Sequence, residues 1–425
     1  MTEQDLQAQW RESLVDPFRL PALRAWGGPP NRMGTMAPPL EGEPAFDPAM
    51  IRAAANELRL PRGVHFESPT LELAVRIGLS HIDATFQGDH PKYGVGAYAA
   101  EEHDGFPPTI VAAVDALTAW GLTGRAQALL TYWLSTFVSA DGSIRYYGTS
   151  LSEYGQILTT VRRLVERGAN PDWLPRNASA PARIASRLME MLSHAGASML
   201  VAGSPEADTK EDVATYFHNN AWIARGLGDW AHLLATRLGR QIEASRVSRA
   251  AHQLARAVRR AIDGAWPTDE RDWWLRPILE PDGQGNLAQP VGRLTASRLG
   301  SYTNYRYWPE LLSSGVLRKR QMVRIVRARR IGGGQFLGMT RFEDHLDDWP
   351  LVDYLEGLWN LGLVRELRLS LWGHILYHQA LHHLTAYEQV SFPPGRKLAD
   401  YCLPCQLVAP RAAALLMSLR RQQRR

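Results

Sequence analysis

Only two cysteines occur in 425 residues, Cys402 and Cys405, in the run Cys-Leu-Pro-Cys. That scarcity excludes a disulfide framework. With no second CxxC and no βαβ pattern around the pair, buried free thiols at the start of the last helix are the expected reading. No run of eighteen apolar residues exists, so no helix is expected to cross a membrane. The first residues carry Glu3 and Asp5 and lack an apolar core segment, which argues against a signal peptide and makes the cytoplasm the default compartment. Charge of one sign is also scarce. The formal net charge is +5, with much of the excess in Arg318–Arg330 and in the tail Arg420, Arg421, Arg424 and Arg425. No basic stripe interleaves with stacking aromatics, so nucleic acid is not an expected partner. Period-2 alternation is rare, and the strand candidates are Ser143–Tyr147 and a hairpin around Pro281–Asn286.

What the chain does contain is helix period. Segments rich in Leu, Ala, Val and Arg at spacings of three and four alternate with six stretches dense in acids, aromatics, His and Arg, near 88–107, 139–153, 204–219, 264–308, 332–350 and 385–401. The pattern predicts twelve helices, or six hairpins, over 69–84, 108–120, 124–138, 150–167, 180–201, 212–237, 240–263, 309–316, 319–329, 350–361, 363–384 and 402–419. Gly121, Gly168, Gly239, Gly315 and Gly362 mark helix ends, and Pro107, Pro181 and Pro350 mark starts. Residues 1–66, rich in Pro and Gly, read as an irregular arm with one helix near 48–58, and 67–425 as a single domain. Short connections alternate with long polar ones and the repeats share no common sequence. An all-α, closed (α/α)6 barrel is therefore expected rather than an open solenoid, with the polar stretches gathered at one end.

Several stretches carry candidate chemistry. Leu384-Thr-Ala-Tyr-Glu-Gln-Val390 places Tyr387, Glu388 and Gln389 between two apolar helices. Gly332-Gly-Gly through Pro350 crowds Arg341, Glu343, Asp344, His345, Asp347, Asp348 and Trp349 together. Asp348 doubles as an N-cap residue, whereas Asp344 has no capping role, so the two rank together as acid candidates. The third stretch offers Asp208 and Glu211, although Thr209 through Asp212 reads equally as a helix start, and His218, Asn219 and Asn220 enter the helix that follows. Polar groups in such a place must be hydrogen-bonded, to protein or to ligand hydroxyls. Asp141, Arg145 and Tyr146 on the second stretch, and Asn304, Tyr305, Arg306 and Trp308 on the fourth, mix aromatic faces with polar groups as sugar sites do. His374, His378 and His382 share a helix face at i, i+4 and i+8, but no HExxH accompanies them, so no metal and no cofactor is expected.

The six-hairpin layout, with Glu388-Gln389 before the last helix, resembles the (α/α)6 glycoside hydrolases of the glucoamylase clan. That resemblance implies a general base in this loop, which is Glu388 here, an acid on the third loop, a carbohydrate substrate and an inverting outcome. The clan's N-terminal β-sandwich and its Trp-Glu-Glu acid motif are absent. Hydrolysis of a glycoside needs two carboxyls with separated pKa values, one to protonate the leaving oxygen and one to activate water or attack. Three alternatives stand beside this reading. One is a polysaccharide lyase using His218, Asn219, Tyr305 and Arg306. Another is a terpene-cyclase-like barrel using Asp344 with the Asp347-Asp348 pair. The third is a non-catalytic helical scaffold.

Overall fold

The computed structural model describes residues 48–61, 64–266, 274–279, 294–379, 384–391 and 401–423. The principal helices are α1 Pro48–Glu57, α2 Pro69–Thr85, α3 Pro107–Ala119, α4 Thr123–Phe137, α5 Leu151–Glu166, α6 Ser179–Ser193, α7 Phe217–Thr236, α8 Gln241–Ala265, α9 Trp308–Ser313, α10 Lys319–Ile331, α11 Leu351–Leu361, α12 Val364–Gly373 and α13 Val408–Gln423. Helices α3, α5, α7, α9, α11 and α13 each pack on the next, and α13 returns to α3. Helices α2, α4, α6, α8, α10 and α12 lie outside this ring, each against members of it. The chain is thus a mostly helical α/α toroid.

Burial explains the two layers. Every residue from Pro107 to Thr118 in α3 is buried, as a helix enclosed on all sides requires. Helix α8 buries only Ala244, Val247, Ala251, Leu254, Val258 and Ile262 with their neighbours, one stripe at spacings of three and four, and leaves its arginine-rich face outside. Helices α5 and α7 cross unusually closely. A Cβ at Gly155 would sit 2.0 Å from the Trp222 carbonyl oxygen, and one at Gly226 would sit 2.5 Å from Gly155 Cα.

The five glycines read as helix ends all have positive φ, and Cys402 and Cys405 are buried free thiols. Three boundaries differ from expectation. Helix α6 stops at Ser193, and α7 starts at Phe217, because Asn220 ties the preceding segment down through bonds to Val201 and Tyr216. Helix α12 is shorter than its pattern and runs on as a π-helical turn, His374–His378. The fold is also not purely helical. An antiparallel sheet joins β1 Gln335–Phe336, β2 Met339–Phe342, β3 His345–Asp347 and β4 Gln389–Ser391 in that order. Ser143–Tyr147 makes only an isolated bridge, Val138 to Ile144. The hairpin expected near 281–286, His382 and the first 47 residues of the arm lie outside the described residues.

Candidate active site

Each of the six polar stretches immediately precedes a helix of the inner ring, and all six contribute to one cavity of about 190 Å³. The first stretch supplies Tyr93, Tyr98 and Phe106, and the second Tyr146. Glu206 and Asp208 come from the third, and Tyr302 and Tyr305 from the fourth. The fifth brings Asp347 and Trp349, and the sixth Glu388 and Gln389.

Glu388 is nearly buried. Its Oε1 accepts a hydrogen bond from the Tyr93 hydroxyl at 2.5 Å, and the Tyr98 hydroxyl also bonds this carboxyl. Burial, followed by the nearby Cys402 and Glu388, pushes the Tyr93 hydroxyl well above its ordinary value, so it remains a donor. The sheet sets a second carboxyl beside Glu388. Asp347 pairs across strands with Gln389, whose Nε2 donates to Asp347 Oδ2 at 3.2 Å. Burial first, and the Glu388 carboxyl second, push Asp347 well above the usual carboxylate range. Both causes favour the protonated form of Asp347.

Glu206 and Asp208 stand on the third stretch. Glu206 is buried and Asp208 exposed. Burial raises the Glu206 carboxyl although Arg306 opposes the shift. Its Oε1 has no hydrogen-bond partner within the protein. The Tyr302 hydroxyl donates to Asp208 Oδ2 at 3.3 Å.

Beneath the cavity lies a layer of hydrogen-bonded polar groups that holds the loops. Arg306, on a π-helical turn, donates to Glu153 and Glu310 at 2.6 Å each, stands 3.6 Å from Glu206 and lies over the Trp349 ring. Asn219 Oδ1 accepts from the Ser150 hydroxyl and Ser152 N–H, while its Nδ2 donates to the Ser204 carbonyl. Asn304 donates to the Gly334 and Arg341 carbonyls and accepts from Arg329. His218 stacks on Tyr307, and burial lowers it to about 4, so it is neutral.

Of the residues singled out from sequence, Glu388, Asp208, Tyr146, Tyr305 and Trp349 line the cavity, and Glu211 is exposed outside it. His218, Asn219, Asn304, Arg306 and Arg341 are instead enclosed beneath its wall, where their bonds fix loop on loop. Trp308, 1% exposed, packs on Trp274 in the apolar core and donates to the Leu275 carbonyl. Tyr387 stacks on Tyr401. Asp141 closes its own turn onto Ser143 and pairs with Arg187 on the surface, and Arg145 is exposed nearby. The Asp344 side chain is 89% exposed beside His345.

Asp348 faces away from the cavity and is fully buried. Its Oδ1 accepts from the Thr340 N–H, and Oδ2 lies 2.9 Å from His374 Nδ1 and 3.6 Å from His378 Nδ1. Burial alone would raise this carboxyl, but His378, His374 and the Thr340 N–H hold it below the usual range. His378 Nε2 in turn bonds the Tyr387 carbonyl at 2.6 Å, which ties the fifth stretch to the loop bearing Glu388. The three side chains come close enough to hold a metal ion. In this Asp348–His374–His378 strut both His374 Nε2 and His378 Nδ1 are buried without a hydrogen-bond partner.

Sequence reasoning passed over Glu206, Tyr93 and Tyr98, and weighed Asp347 as capping or catalytic without ranking it among the acid candidates. The available signal was Glu-Ala-Asp at 206–208 in a stretch already marked for an acid.

No family model and no curated protein matches the chain. Solved structures do resemble it. A wild-type glycosidase is 14% identical with a TM-score of 0.56, over 82% of this chain and 97% of that one. A glutamate-to-alanine variant of a glycosidase in complex with glucose is 12% identical at 0.54, over the same shares. A rhamnosidase from Klebsiella oxytoca with rhamnose bound is 11% identical at 0.52, over 83% of this chain and 65% of that one. At these identities the likeness is one of fold: the chain shares the helical toroid on which those glycosidases are built.

Proposed function

We propose that the protein is a glycoside hydrolase of the six-hairpin (α/α)6 type, with residues 67–425 as the catalytic domain. The observation that carries this reading is the convergence of carboxyls from the third and sixth stretches on one aromatic cavity at the starts of the inner helices. Glu388 serves as general base, oriented by Tyr93 and Tyr98. Glu206 serves as general acid. Its burial favours the protonated form, and no protein group occupies its Oε1. In the step, Glu206 delivers its proton to the glycosidic oxygen as the C–O bond breaks. Glu388 removes a proton from the water that attacks the anomeric carbon. The acid role expected of Asp344 or Asp348 passes to Glu206, since neither aspartate lines the cavity. Asp347, protonated beside Glu388, donates to a ring hydroxyl, and Tyr305 and Trp349 cover the apolar face of the ring. The resemblance to the glucoamylase clan implies inversion, and the separation of the two carboxyls in the substrate complex decides it.

The experiment is a panel of nitrophenyl glycosides and natural oligosaccharides, assayed with the wild type and with Glu388→Gln. Hydrolysis that vanishes in the variant, with product of inverted anomeric configuration by proton NMR, is the expected result. Wild-type turnover in Glu388→Gln on any such substrate would sink the assignment.

A further inference from the structure

Charge in this cavity is one-sided. Among the described residues its lining holds four carboxyls, Glu206, Asp208, Asp347 and Glu388, and no Arg or Lys side chain. Behind the wall two more carboxyls, Glu153 and Glu310, share the single guanidinium of Arg306 with Glu206. Three nearby cations are engaged by the cavity's own rings. Lys210 lies 5.1 Å from the centre of the Tyr147 ring, and Arg298 lies 5.1 Å from that of Tyr302. Arg306 lies 5.4 Å from the Trp349 centre on the protein side. Aromatic faces attract cations through their quadrupoles, so rings and carboxyls here favour the same sign of ligand charge. The volume, about 190 Å³, falls below the usual range for drug-sized ligands and suits one sugar ring.

We propose that the cavity selects its glycone by charge, accepting uncharged rings and rings bearing a protonated amine while refusing uronates. This rests on the glycosidase reading above and adds the substrate class. A carboxylate brought within a few ångströms of even one ionised wall carboxyl would lose on the order of 10² in affinity at an effective dielectric near 20. An ammonium group gains from the same field, and a cleft of one sign also speeds the arrival of the opposite charge. A polysaccharide lyase needs Asn or Arg in the cavity to neutralise its uronate, and the lining has neither.

Three substrates that differ only at C6 test the proposal: the nitrophenyl hexoside of whichever configuration is hydrolysed, its 6-amino-6-deoxy analogue and the corresponding hexuronide. Titration calorimetry with the three matching methyl glycosides and the Glu206→Gln protein, which lacks the proposed acid but keeps the Glu388 charge, measures binding apart from turnover. The expected order in kcat/KM and in affinity is amine at least equal to neutral, and neutral about 10²-fold above uronide. The spread should narrow as salt rises, and narrow again in Asp208→Asn. Uronide equal to or better than neutral overturns the proposal, and so does rejection of the amine relative to neutral. If no glycoside is turned over but the binding order holds, the hydrolase reading fails while charge selection stands.

Discussion

The two ends of the inner ring carry cavities of opposite character. At the helix starts, a cavity of about 190 Å³ combines aromatic rings with four carboxyls and, among the described residues, no lining Arg or Lys. Around the helix ends a larger one, about 370 Å³, is lined by Arg163, Arg167, Arg225 and Arg411 together with Asp115 and Glu356. There the carboxyls are paired. Arg163 bridges Asp115 and Glu356, Arg225 pairs with Asp229, and Arg411 reaches Asp115 at 3.7 Å. Paired charges hold helices together, whereas buried carboxyls with few cations demand a proton, a hydrogen-bond donor or a substrate. That contrast is why the proposed chemistry is placed in the smaller cavity. Size alone would have chosen the other end.

The sharpest way to break this comparison is at Glu388. Glu388→Gln keeps shape but cannot accept a proton, so kcat should fall about 10²–10⁴-fold with folding intact. Glu206→Gln should cost about as much on substrates with poor leaving groups and far less on nitrophenyl glycosides, which need little protonation. Glu206 must hold its proton to act, and burial raises its pKa. Wild-type activity should accordingly fall as pH rises through that raised value, and the variant should lose this basic limb; a retained limb would point to another acid.

Beneath the cavity, His374→Ala should destabilise the fold by about 3 kcal/mol in denaturant unfolding, because Asp348 would be left buried with less compensation. A change of under half a kcal/mol would mean that the strut is not structural. Asp347 contributes in the opposite sense. Its folded pKa lies above the unfolded one, so the stability it contributes is complete below the unfolded value and is lost as pH rises. Asp347→Asn should therefore be more stable than wild type at neutral pH by on the order of 1 kcal/mol, with the gain vanishing near pH 4. The smallest effect belongs to the other end. Arg411→Gln should lower stability by at most about 1 kcal/mol and leave kcat/KM within about two-fold. A tenfold loss of activity there would couple the two cavities.

Much of the scaffold was legible. Leu, Ala and Val at spacings of three and four located the helices. Gly121, Gly168, Gly239, Gly315 and Gly362 located ends where the backbone takes positive φ. The six polar stretches were visible as interruptions of that period. Which of their residues reach the cavity was not visible. Asn304, Arg306 and His218 look like sugar ligands in one dimension and turn out to bond other loops.

By itself the sequence determined the alternation of buried and polar segments, the helical periods and the gathering of carboxyls and aromatics in six stretches, because local spacing decides which face of a helix is apolar. Tertiary structure alone decided that Glu206, Asp347 and Glu388 share a cavity while Asp348 turns away. Asp347 ends strand β3 and Asp348 follows it, and successive residues of extended chain point to opposite faces. Here the pairing of Asp347 with Gln389 settles which face that is, and strand register across more than forty residues has no local signature.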